Sequence, residues 1–177
     1  MTNGSFDISL TELTFVLGGA RSGKSAFAES IVEETGGGIY VATAQARDNE
    51  MAARIEAHKK RRGPSWQSIE EPTDLAETLV DLKGNQVPVL VDCLTLWLSN
   101  ILEIERNIDN EIATLCNVAS SLDYPVVFVS NEIGLGVIPE NVLARRFIDL
   151  HGSMNQWVAT VAGQVVMVTA GIAHRIK

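Results

Sequence analysis

Eight consecutive residues, Gly18-Gly19-Ala20-Arg21-Ser22-Gly23-Lys24-Ser25, fit the pattern G-x-x-x-x-G-K-[ST] in full. The apolar run "LTFVL" precedes them and the helix formers "SAFAES" follow, so the pattern stands where it needs to stand, between a strand and a helix. Glycines let backbone N–H groups converge on one point, and a helix N-terminus adds the positive end of its dipole. Lys24 is placed to reach β- and γ-phosphates, and the Ser25 hydroxyl to ligate Mg²⁺. The chemistry implied is binding of a nucleoside triphosphate. The competing reading is a glycine-rich turn that only joins strand to helix.

Two acids belong to the same chemistry. Asp92 ends the apolar run "VPVLVD", where it either holds the water shell of a magnesium ion, as a Walker-B carboxylate does, or caps the next helix. Glu132 follows "VVFVSN" and precedes the loop "IGLGVIPE". It either orients a nucleophile or a metal-bound water, or is a loop carboxylate in solvent.

The stretch "DNEMAARIEAHKKRRGPSW" is basic within an acidic chain. On a helix, His58 sits between an apolar stripe and a basic one, followed by Lys59, Lys60, Arg61 and Arg62. One reading is a solvated helix end favoured by the dipole. The other is a polyphosphate clamp beside an imidazole that the nearby cations keep neutral and nucleophilic, able to attack an α-phosphate. The residues alone leave both open. His151 and His174 have no spaced partner and default to structural or surface roles. Cys93 and Cys116 show neither disulfide framework nor metal spacing and read as buried, reduced thiols. Trp66, Trp97 and Trp157 are scattered and read as packing residues.

The elements that position these residues are an alternation of short apolar runs with helical patterns. Strands are expected at 13–17, 39–42, 87–92, 126–130 and 165–169, with a short edge strand at 172–176. Their nearly continuous hydrophobicity suits a parallel sheet buried on both faces. Helices are expected at 24–34, 49–62, 73–82, 140–162 and, as one or two, across 94–122. The result is an α/β fold with a mostly parallel central sheet flanked by helices, whose site sits at the carboxyl ends of the strands. The 177 residues suffice for one domain, expected over 13–177 after a flexible tail at 1–12. Net charge is −8, with 46% hydrophobic residues, which argues against a general nucleic-acid binder. The N-terminus "MTNGSFDISLTEL" lacks a signal-peptide pattern, and no apolar run has the length of a membrane span. A cytoplasmic protein is expected.

Five stretches taken together, "LGGARSGKSAFAE", "YVATAQARDNEMAARIEAHKKRR", "VLVDCLTLWLSN", "VSNEIGLGVIPEN" and "LARRFIDLHGSMNQ", resemble the bifunctional adenosylcobinamide kinase / adenosylcobinamide-phosphate guanylyltransferase family. The likeness runs from about Thr14 to the C-terminal "GIAHRIK". It implies a RecA-like P-loop fold, commonly trimeric, with the corrinoid adenosylcobinamide, GTP and ATP as substrates and Mg²⁺ as cofactor. By that resemblance His58 matches the guanylylated histidine. The guanine-nucleotide contacts match Gly19, Ala20, Arg21, Ser22, Gly23, Lys24 and Ser25, then Ala44, Gln45 and Ala46, then Lys59, Lys60, Arg61 and Arg62, and finally Glu70 and Asp92. Ala57 stands where some members carry a second histidine. Two other functions remain in view: a P-loop small-molecule kinase with no covalent intermediate, and a nucleotide switch. The chain lacks the guanine-reading N-K-x-D of a GTPase switch.

Overall fold

A computed structural model describes residues 8–46, 49, 53, 56 and 62–177 of the 177-residue chain. The elements run β1 (Leu13–Gly18), α1 (Lys24–Glu33), β2 (Gly38–Ala42), β3 (Trp66–Glu70), α2 (Leu75–Asp81), β4 (Val89–Asp92), α3 (Leu94–Glu103), α4 (Ile108–Ala119), β5 (Val126–Asn131), α5 (Val142–Val161), β6 (Gln164–Thr169) and β7 (Ile172–Arg175). The expected helix at 49–62 falls mostly outside the described residues. Asn49, Ala53 and Glu56 are helical and exposed.

One seven-stranded sheet takes them in the order β3-β2-β4-β5-β1-β6-β7. Every pairing is parallel except β6 with β7. Strand alternation explains why apolar runs were needed. Leu13, Phe15, Leu17, Ile39, Val41, Val89, Val91, Val126 and Phe128 face one core, while Val16, Tyr40, Leu90, Val127 and Val129 face the other. Side chains of period two cover both faces of the sheet, so neither face tolerates polar residues at mid-strand. Residues of α2 to α5, including Leu75, Trp97, Leu115 and Met154, fill the first core; Ala28, Ile31 and Val32 of α1 fill the second.

The helix at 49–62 aside, the expected strands and helices are present with ends shifted by a few residues, and the region 94–122 is two helices. Glu105 takes a positive φ of 57° between them, and the Asn107 side chain accepts the Asn110 N–H at 3.0 Å to start α4. Strand β3 was not expected. It pairs with β2 at the sheet edge, and only Trp66 and Ile69 are even half-buried, so it carries no apolar run to read. Of the tail, residues 1–7 lie outside the described residues. Ile8 and Leu10 pack against the second core, and the Ser9 carbonyl accepts a bond from Gln164 Nε2 at 3.1 Å. In α5, Met154 and Val158 are buried as the periodicity implies, but Leu143 at its start is 63% exposed, and His151 and Asn155 share the buried side.

Close approach at the start of β2 makes a test. A Cβ on Gly38 would collide with the Pro88 carbonyl oxygen and stand 2.9 Å from Val32 Cγ1. Gly38→Ala is expected to destabilise the protein by about 1–3 kcal/mol. Gly152, inside α5, has nothing within 4 Å of the same position, and Gly152→Ala is expected to stabilise by about 0.5–1 kcal/mol. Urea unfolding of the two variants reads both signs.

Candidate nucleotide site

The loop between β1 and α1 is shaped by two left-handed residues, Arg21 at φ 57° and Gly23 at φ 97°. Gly23 is the N-cap of α1 and brings no side chain to cap it. Ser22 Oγ accepts the Lys24 N–H at 3.4 Å, which leaves the N–H groups of Ser25 and Ala26 at the open end of the helix. The loop closes on itself through Ser22 N–H to the Gly19 carbonyl at 3.2 Å and Phe27 N–H to Gly23 at 2.9 Å. Gly18 admits no side chain: a Cβ there would collide with Ser22 Oγ and lie 2.6 Å from the Val168 carbonyl oxygen. The β6–β7 turn braces the loop from outside. Ala170 and Gly171 both have positive φ, as a two-residue primed hairpin turn requires, and Gly171 N–H reaches the Ser22 carbonyl at 2.8 Å. Lys24 is buried, and its Nζ donates to the Gly19 carbonyl at 3.2 Å. Uncapped helix N–H groups and a lysine folded over the loop make an anion site.

Asp92 ends β4, separated from β1 by β5 alone, about 10 Å across two strand spacings. It is half-buried and accepts the Tyr40 phenol at 3.1 Å. Burial first, then the Asp92 charge, raises the Tyr40 pKa, so the phenol stays a donor. The N-cap of α3 is Cys93, one residue beyond Asp92, and the bond Asp92 Oδ2 accepts is from the Tyr40 phenol. The neighbouring Cys93 thiol is pushed up to about 11, by burial first and by Asp92 second, so it is no nucleophile near neutral pH. Cys116 is likewise free and buried. Thr43 ties the ends of β2 and β4 together: its Oγ1 accepts the Cys93 N–H and donates to the Cys93 carbonyl, both at 2.8 Å. Ala44, Gln45 and Ala46 follow directly. Glu70 is level with Asp92 but exposed on edge strand β3, four strands from β1.

Of the basic run, His58, Lys59, Lys60 and Arg61 lie outside the described residues. Arg62 faces inward. Its side chain is 4% exposed, its guanidinium carbon lies 3.4 Å from the Tyr40 ring centroid, and it pairs with Glu29 of α1 at 3.9 Å. An aromatic face and a carboxylate both favour a cation placed between them. Magnesium bound to a nucleotide uses one or two protein oxygens, with phosphates and water supplying the rest. Ser25 and Asp92 are hard oxygen donors at the same sheet edge and fit that ion. Among the described residues no group of three or more His, Cys, Asp or Glu forms a metal site of its own.

A buried polar cluster stands at the end of β5, and sequence spacing gave no sign of it. His151 Nε2 lies 3.0 Å from Thr95 Oγ1 and 3.3 Å from Ser130 Oγ; Ser130 donates to Asn155 Oδ1 at 2.9 Å; Asn155 Nδ2 is 3.5 Å from His151 Nδ1. The cluster also grips the backbone of Asn131, whose N–H donates to Thr95 Oγ1 at 2.9 Å and whose carbonyl accepts from Asn155 Nδ2 at 3.1 Å. The network is consistent with a neutral imidazole that accepts from Asn155 at Nδ1 and carries its proton on Nε2, toward Thr95 and Ser130.

The family described as cobinamide kinase / cobinamide phosphate guanyltransferase matches residues 14–176. The chain belongs to that family. Among relatives, a bifunctional adenosylcobalamin biosynthesis protein CobP of Pseudomonas aeruginosa is 42% identical over 165 residues, 92% of this chain and 95% of that protein. The CobU protein of Escherichia coli, with the same descriptive name, is 38% identical over 93% of this chain and 99% of that protein. Solved structures are similar in fold alone. A type III secretion ATPase has a TM-score of 0.56 at 11% identity, over 90% of this chain and 51% of that one. A Pyrococcus horikoshii protein, PH0250, has 0.54 at 12%, over 96% and 87%.

The His151 cluster gives a pH signature in this CobU-family chain. Burial holds the His151 pKa below its ordinary value of 6.5, partly offset by the Glu132 charge. A second proton would aim Nδ1–H at the Asn155 amide. The unfolded chain therefore takes up the proton first, so stability is whole above pH 6.5 and falls as the pH drops below it, by at most about 1.4 kcal/mol per unit for one proton. His151→Gln is expected to flatten that slope between pH 6.5 and 5.5 in urea titrations.

Proposed function

We propose that the protein performs two successive transfers on a corrinoid alcohol. It phosphorylates the aminopropanol hydroxyl of adenosylcobinamide with ATP or GTP. It then moves GMP from GTP to the new phosphate, giving adenosylcobinamide-GDP and pyrophosphate. The observation that carries the reading is the phosphate loop itself: an α1 start behind a left-handed glycine N-cap, Lys24 bent over the Gly19 carbonyl, and Asp92 two strands away at the same edge. Membership of the family described as kinase and guanyltransferase names the two reactions.

The loop N–H groups from Gly19 to Ser25 hold the polyphosphate, and Lys24 leaves the Gly19 carbonyl for a phosphate oxygen. Ser25 and Asp92 would hold magnesium, which supplies neutralisation of phosphate charge when bound. Ala44, Gln45, Ala46 and Glu70, at the same carboxyl edge, contribute to the guanine-nucleotide site. In the transferase half, the His58 imidazole nitrogen bonds to the α-phosphorus as the bond to the bridging oxygen breaks and pyrophosphate leaves. A phosphate oxygen of the phosphorylated corrinoid then displaces the imidazole. Two displacements replace one difficult one. Lys59, Lys60 and Arg61 supply cations to the leaving pyrophosphate, while Arg62 anchors the run to Tyr40 and Glu29.

Residues 13–177 act as one nucleotide-binding domain in this reading, the protein works in the cytoplasm, and it assembles as a homotrimer. Among the described residues no helix is long and apolar enough to cross a membrane. Leu135, Val137, Ile138, Val142 and Leu143 are 63–95% exposed along one loop and helix start, a density of apolar surface that supports association.

Wild-type protein incubated with α-labelled GTP is expected to take a covalent label that is acid-labile and alkali-stable, and His58→Ala to abolish it. A wild-type protein that takes no label removes the covalent route. Lys24→Ala is expected to lower both half-reactions by about 10²-fold or more, as loss of a charge-stabilising donor does, read as corrinoid phosphorylation and pyrophosphate release.

A further inference from the structure

The kinase half needs an acceptor for the proton of the corrinoid hydroxyl. We infer that Glu132 is that general base, an assignment that rests on the kinase reading above. Among the described residues, other acids at or beside the carboxyl edge have partners or positions of their own, Asp74 beside Arg106 among them. Asp92 receives the Tyr40 phenol. Glu70 lies four strands from β1. Glu71 Oε1 accepts the N–H groups of Thr73 and Asp74 at 2.8 and 2.7 Å, ahead of α2. Glu29 lies beneath Arg62.

Glu132 stands apart in three respects. Its backbone N–H donates to the Gly18 carbonyl at 3.1 Å, next to the Gly19 carbonyl that holds Lys24 Nζ. The carboxylate and the ammonium are thus referenced to consecutive peptide groups of the phosphate loop. Second, its Oε1 accepts the Gly134 N–H at 2.7 Å, which fixes the carboxylate and leaves Oε2 to a substrate. Third, its charge reaches the α5 side of the sheet, opposite α1. Ser130, two residues earlier, points to His151 and α5, and the Glu132 charge is felt at His151. Helix α1 and the loop hold the leaving side of the triphosphate, and in-line transfer brings the nucleophile from the opposite side. The backbone one residue back is clamped at both its N–H and its carbonyl by Thr95 and Asn155, so the carboxylate starts from a rigid point.

The step balances without a further reactant. The hydroxyl oxygen bonds to the γ-phosphorus, its proton passes to Glu132 Oε2, and the bond from the γ-phosphorus to the β–γ bridging oxygen breaks. The nucleoside diphosphate leaves with that electron pair, and Glu132 releases the proton to water.

Glu132→Gln keeps an oxygen for the Gly134 N–H and removes the base. Its kcat for phosphorylation of adenosylcobinamide is expected to fall about 10²–10⁴-fold, with the KM for the triphosphate changed less than about threefold. Guanylyl transfer to preformed adenosylcobinamide-phosphate, measured on the same preparation, reports folding and nucleotide binding and is expected to fall less than about threefold. Glu132→Asp, which keeps a carboxylate, is expected to retain more kinase rate than Glu132→Gln. The assignment is overturned if Glu132→Gln phosphorylates the corrinoid like wild type, if both half-reactions fall together, or if the Asp variant is no better than the Gln one. Wild-type protein that does not phosphorylate the alcohol overturns the kinase reading and this assignment with it, whereas an active wild type beside an equally active Glu132→Gln overturns the assignment alone.

Discussion

The first turn of α1 follows a glycine N-cap that brings no side chain to it, and among the described residues only the Lys24 N–H finds a side-chain acceptor there, Ser22 Oγ at 3.4 Å. Leaving the other donors without partners is costly in a half-buried site, so the loop is stable only with water or an anion in front of it. That constraint dictates what surrounds it. Gly18 must lack a side chain because the Val168 carbonyl and Ser22 fill the space, and Gly23 must take a left-handed φ for α1 to begin where it does. The loop cannot relax by moving outward, since the Gly171 N–H holds the Ser22 carbonyl from the β6–β7 turn. The phosphate site is thus preorganised by backbone packing, and its side chains add charge to a cradle the main chain has already shaped.

The same edge of the sheet is stiffened at its other strands. Thr43 and Asn100 hold the ends of β2 and β4, with Asn100 Nδ2 donating to the carbonyls of Thr43 and Pro72 at 2.9 and 3.0 Å. Thr95, Ser130, His151 and Asn155 hold the end of β5. Strand ends normally fray, but here buried side chains take up the backbone groups that the ladder no longer pairs. A fully satisfied buried network favours one arrangement, because any shift leaves donors facing donors. The residues at those ends therefore keep fixed spacings while substrates exchange.

What the sequence disclosed follows from how local each signal is. The phosphate loop needs its glycines and lysine at fixed offsets, so it is legible as a string. The central strands are legible because burial on both faces demands continuous apolar residues. Strand β3 was illegible: "WQSIE" is half-exposed at an edge, and its partner is Gly38–Ala42, more than twenty residues earlier. The His151 cluster was illegible for a related reason. Its members come from α3, β5 and α5, and only residues 151 and 155 share a helical spacing. Arg62 misled in another way. A run of four basic residues reads as one feature, yet its last member is turned inward by an aromatic ring and a carboxylate far away in the chain.

That inward turn has a mechanistic consequence. The Arg62 guanidinium covers the Tyr40 ring, the Tyr40 hydroxyl donates to Asp92, and Glu29, the other partner of Arg62, lies on α1 five residues beyond Lys24. One side chain thus ties the end of the basic run to the phosphate-loop helix and to the strand bearing the acid. Four peptide units link position 58 to Arg62, limiting their Cα separation to about 14 Å. For the proposed histidine nucleophile, so short a tether reduces the search for a triphosphate on the loop, and entropy avoided at binding is gained as rate. The burial of a cation is costly by itself, and the ring face and the carboxylate both act against that cost.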